Sequence, residues 1–101
     1  MSIIVAVKVY GDTAAFTKSL DEQADDFRAI KERAQVAGAL HHQLAIGDGF
    51  VLVNDEWESA AAFEKFFSDP ELQAFIGSVG GDPSKAPEIT IAESVDSPDK
   101  F

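Results

Sequence analysis

At 101 residues, 46% of them hydrophobic, the chain has apolar material for one core and no room for a second. Eighteen acidic against eight basic residues give a formal net charge of -10, which opposes phosphate backbones and anionic lipid, so neither nucleic acid nor a membrane is an expected partner. Cysteine is absent, which removes disulfides, thiolate nucleophiles and cysteine metal sites together.

The opening MSIIVAVKVY lacks a basic n-region and a small-residue cleavage site. It is therefore expected as a mature first strand, with the cytoplasm as the expected compartment. The longest apolar run, Ile3 to Val7, is far too short to span a bilayer. Residues 3 to 10 alternate, with Ile3, Val5, Val7 and Val9 on one face and Ile4, Ala6, Lys8 and Tyr10 on the other. Both faces are mostly apolar, so helices are expected on one side and a second subunit on the other, which predicts a homodimer.

Asp12 or Thr13 can cap a helix carrying Phe16, Leu20, Ala24, Phe27 and Ala34 up to Gly38. Ser19 with Glu22 offers a second start, a capping box, so a short turn before the main helix is the alternative. Two alternating runs, Ala39 to Ile46 and Phe50 to Glu56, flank Gly47-Asp48-Gly49 and predict an antiparallel hairpin. A three-residue loop sets His42 opposite Asn54 and His41 opposite Asp55. A two- or four-residue loop shifts the register by one and sets His42 beside Asp55 and His41 beside Glu56.

Ser59 can cap a helix bearing Phe63, Phe66 and Phe67, and Asp69-Pro70 restarts it with proline at its first position, so a break is expected near Ser68. Residues 77 to 87 are rich in Gly and Pro and read as a loop, followed by a last strand from Glu88 to Val95. The expected organisation is one domain over 1–95 and a polar tail over 96–101. Strand, helix, strand, strand, helix, strand is the α+β, ferredoxin-like βαββαβ order, a four-stranded antiparallel sheet with two helices on one face.

The cadence Gly38-x-Leu40, a hairpin, Val51-Leu52-Val53 leading to Trp57-Glu58-Ser59, then Phe63 and Ser68-Asp69-Pro70, resembles the antibiotic biosynthesis monooxygenase family of dimeric alpha-beta barrels. The match in residues lies mainly between 38 and 76. The resemblance implies a homodimer whose sheets face each other, with a pocket in each subunit between sheet and helices. It also implies oxidation of small aromatic or polycyclic phenols or quinols by molecular oxygen without metal or flavin, and Trp57 as a pocket wall. The related haem-degrading branch uses an Asn in the first strand, a Trp in the second helix and a His about ten residues later. Here those helical positions are Phe66 and Ile76 and the first strand has no Asn, which disfavours haem degradation. Quinol-oxidising relatives often carry His at the position of Phe66.

His41 and Asp55, if paired, give an imidazole oriented by a carboxylate, the arrangement that removes a proton from a phenol or an acidic carbon. The plainer reading is a structural cross-strand pair worth roughly 0.2–1 kcal/mol. His42 and Asn54 are assigned to the opposite face with Leu40, Leu44 and Leu52, toward the barrel interior and the dimer contact. Trp57 can stack on a flat ligand, and Phe63 and Phe66 can wall an aromatic pocket, although core packing accounts for all three as simply. Tyr10 can donate a hydrogen bond to a ligand oxygen or sit exposed at a rim. The adjacent histidines point to opposite faces of a strand and cannot share a metal, so no metal and no cofactor is expected. Besides the oxygenase, two activities fit: a non-catalytic dimer that binds an apolar molecule, and an isomerase or cyclase that consumes no oxygen.

Overall fold

A computed structural model describes all 101 residues. Its elements are β1 (Ile3–Tyr10), α1 (Thr13–Glu22), α2 (Ala24–Ala37), β2 (Ala39–Ile46), β3 (Phe50–Trp57), α3 (Ala60–Phe67), α4 (Pro70–Ser78) and β4 (Glu88–Glu93). The strands form one antiparallel sheet in the order β2-β3-β1-β4, the ferredoxin-like arrangement. No helix is long and apolar enough to cross a membrane.

Each helix start follows from local chemistry. Asp12 accepts from the backbone N–H groups of Ala14 and Ala15, Ser59 from that of Ala62, and Asp69 from that of Leu72 ahead of Pro70. These carboxylates and the hydroxyl satisfy donors that a helix N-terminus otherwise leaves without partners. The capping box at Ser19 does not form. Ser19 lies inside α1, buried, with its hydroxyl donated to the carbonyl of Phe16, and the chain breaks instead at Gln23, whose N–H returns to the Ser19 carbonyl. At Gly38 the backbone turns into β2 with φ of 120°, a conformation that glycine adopts without the clash a Cβ would bring.

Ile3, Val5 and Val7 of β1 are buried beneath the helices, where Val5 and Val7 join Trp57 as the most deeply enclosed side chains. Phe63 of α3 completes this core, packed edge-on against Trp57 at 5.7 Å and stacked on Phe67 at 5.3 Å. The other face of β1 is far more open, with Ile4 42% exposed. β4 ends at Glu93, two residues short of the expected Val95. Before β4, Ser84 donates its hydroxyl and its backbone N–H to Asp82 at 2.6 and 2.9 Å, and these bonds hold the Asp82 carboxyl below its ordinary range.

The hairpin turn contains four residues, not three. Ile46 pairs with Val51, which leaves Gly47 to Phe50 as the loop, closed by the Gly47 N–H donating to the Phe50 carbonyl at 2.9 Å. The Phe50 ring lies where a side chain on residue 47 would stand, so a larger residue there would displace the ring, and Gly49 takes φ of 79°. The three-residue register is thereby excluded. His42 stands opposite Asp55 and His41 opposite Glu56. A bulge between Ala39 and His41 then restores the phase, so that Ala39 faces Trp57.

Candidate functional site

Alternation in β3 sends Val51, Val53, Asp55 and Trp57 to the same side as Val9, Val7, Val5 and Ile3, their partners on β1. This is the side the helices cover. The hairpin register adds His42 and Leu44 of β2 to the same face. The expected assignment of His42 and Leu44 to the barrel interior is therefore reversed: a one-residue change of register moves a whole strand's side chains to the other face.

On that face three side chains form a chain of hydrogen bonds. The Trp57 indole N–H donates to Oδ2 of Asp55 at 3.0 Å, and Oδ1 of Asp55 lies 2.6 Å from Nδ1 of His42. Asp55 is 7% exposed and Trp57 1%, whereas the His42 side chain is 51% exposed. A buried carboxylate with two directed partners is satisfied, and no buried side-chain nitrogen or oxygen in the molecule lacks a partner. An ionised carboxylate only accepts, so in a neutral His42 ring Nδ1 carries the hydrogen of this bond and Nε2 is the nitrogen with the lone pair. The carboxylate thus orients the imidazole ring from behind.

The imidazole borders a cavity of about 690 Å³ between the sheet and the helices. Phe63 and Phe66 of α3 line it beside Trp57, and Phe27 of α2 and Phe75 of α4 meet edge-on at 5.0 Å along another wall. Trp57 and Phe66 sit 5.4 Å apart at a tilt of 43°. The lining is mostly hydrophobic, and the volume falls within the range of small-molecule sites.

Of the residues singled out from sequence, Asp55, Trp57, His42, Phe63 and Phe66 converge on this cavity. His41 borders it as well but stands on the Glu56 side of the hairpin and makes no bond to Asp55. Asn54 pairs with Ala6 and Gln43 on the uncovered face and does not line the cavity. Tyr10 alternates onto that face too, and its hydroxyl donates to the Glu88 carboxylate. The Tyr10 residue touches the cavity rim, but its phenol is engaged elsewhere. Sequence reasoning missed Arg28 and Lys31 of α2, which also line the cavity. Their positions i and i+3 within the stripe Ala24, Phe27, Arg28, Lys31 and Ala34 carried the signal.

No family model and no curated protein matches this sequence. Solved structures do share its fold. A monooxygenase of Streptomyces coelicolor, ActVA-Orf6, solved with nanaomycin D, superposes with a TM-score of 0.66 at 22% identity over 95% of this chain and 89% of that one. SnoaB, a cofactor-independent oxygenase from Streptomyces nogalater, aligns at 0.57 with 11% identity over 98% of each chain. A structure described as an antibiotic biosynthesis monooxygenase gives 0.63 at 13% identity over 93% of this chain and 99% of that one. The chain thus has the fold of the antibiotic biosynthesis monooxygenases, as its hairpin-to-Trp57 pattern implied.

Proposed function

We propose that this protein is a cofactor-independent oxygenase for an aromatic or polycyclic phenol or quinol, with His42 in the role of base that the sequence assigned to His41. The observation that carries the reading is the buried Asp55, which joins Trp57 to an imidazole whose other nitrogen is free at the wall of an aromatic cavity. Two solved structures of the same fold are named as a monooxygenase and a cofactor-independent oxygenase, which supports the same chemistry here.

In the proposed reaction Nε2 of His42 takes the phenolic proton, and Asp55 stabilises the imidazolium that results. The electron-rich phenolate passes one electron to O2, and the radical pair recombines at ring carbon to give a peroxide, which a proton converts to the hydroperoxide. Loss of the C–H proton with cleavage of O–O leaves a carbonyl and releases water. Substrate plus O2 gives quinone plus water, with both oxygen atoms and all four electrons accounted for. Trp57, Phe63 and Phe66 hold the ring and exclude water around the anion.

As a homodimer the chain would bring two uncovered sheet faces together. Ile4, exposed at 42%, and the half-buried Ala6, Phe50 and Leu52 lie on that face and support the pairing. A second reading, a dimer that binds an apolar ligand without turnover, is favoured by one observation: the Trp57–Asp55–His42 chain already satisfies its buried groups by itself.

Oxygen uptake with anthrone and 1,4-naphthohydroquinone tests the proposal. We expect protein-dependent uptake that falls by about 10²–10⁴-fold in His42→Ala and is unchanged in His41→Ala. Turnover without oxygen consumption would replace the oxygenase with an isomerase or cyclase. Ligand binding with no turnover, indifferent to His42→Ala, would leave the binding dimer.

A further inference from the structure

The cavity wall contributed by α2 is unlike the rest. Its stripe Ala24, Phe27, Arg28, Lys31 and Ala34 places two cations, three residues apart, on a predominantly apolar surface. The chain as a whole carries 18 acids and only eight Lys and Arg, so two cations at one cavity stand against its general charge. The two acids that line the same cavity are already engaged, Asp12 by the α1 backbone and Asp55 by Trp57 and His42. Lys31 has no carboxylate within salt-bridge distance, in contrast to Lys18, Arg33 and Lys100. Arg28 meets only Asp25, one helical turn away, in a pair whose side chains are 70% and 100% exposed; such solvated pairs are weak and readily exchanged for another anion.

We infer that the ligand of this cavity is an aromatic carboxylic acid, its carboxylate held by Arg28 and Lys31 and its ring system by the aromatic side chains of α3 and α4. The inference rests on the proposed role of the cavity and narrows the substrate class. A guanidinium and an ammonium three residues apart on one helix face match one planar carboxylate, and the mostly hydrophobic remainder of the lining suits its ring system.

Calorimetric titration with 6-hydroxy-2-naphthoate and the neutral isostere 6-hydroxy-2-naphthamide tests this. We expect the wild-type protein to bind the carboxylate about ten-fold tighter than the amide. Combining Arg28→Gln with Lys31→Gln should bring carboxylate affinity down to that of the amide and leave the amide unchanged. A control combining Lys18→Gln with Lys65→Gln, which changes net charge equally away from the cavity, should keep the preference. Equal binding of the two compounds by wild type overturns the inference and leaves the aromatic cavity standing. A preference that survives in the double variant also overturns it, since recognition then lies elsewhere. If neither compound binds, the reading of the cavity fails and this one with it.

Discussion

Helix α2 and the pair α3 and α4 make different use of the same sheet face. In α3 and α4, Phe63 and Leu72 are buried, and Phe63 meets both Trp57 and Phe67. The longer α2 buries no residue at all. Its cavity stripe holds Ala24 and Ala34 beside the single ring of Phe27, where α3 carries Phe63, Phe66 and Phe67. α3 and α4 supply core and cavity wall together, whereas α2 supplies wall without a buried side chain. Larger side chains at Ala24 and Ala34 would narrow this half-open cavity.

Three substitutions sharpen the contrast. Phe63→Ala removes a ring from the close-packed side and should destabilise the fold by about 3–5 kcal/mol, read as a shift in the urea midpoint. Asp55→Ala strips the acceptor from the buried Trp57 N–H and should cost about 1–3 kcal/mol, whereas His42→Ala, at a half-exposed ring, should cost less. If both cost the same, the carboxylate draws its stability from the imidazole and not from the indole. Ala24→Leu fills space on the α2 side of the cavity and should change stability by less than about 1 kcal/mol while lowering ligand affinity in calorimetry. A large loss of stability there would mean that α2 is packed as tightly as α3, and the contrast between them would fail.

Much of the architecture was legible because its causes are local. Asp12, Ser59 and Asp69 cap helices by reaching backbone donors two or three residues away, and Pro70 fits the first helical position for reasons internal to one turn. The misplaced start at Ser19 shows the limit. A Ser and a Glu three residues apart satisfy the capping pattern, but burial against the helix interior lets Ser19 bond the Phe16 carbonyl and keeps it inside α1. The histidine that pairs with Asp55 was harder still. His41 and His42 are neighbours of identical chemistry, and a single residue of loop length decides which of them meets Asp55.

The sequence by itself determined the strand and helix order, the caps, the face that Trp57 and Asp55 share, and the aromatic supply of α3, since each depends on periodicity or on contacts within a few residues. Tertiary pairing and packing decided that His42 joins that face, that Asn54 and the Tyr10 phenol leave it, and that Arg28 and Lys31 of α2 border the cavity. Strand register and helix placement are set by pairing and packing between segments distant in sequence, and a one-residue slip in such pairing exchanges every side chain between the two faces of a strand.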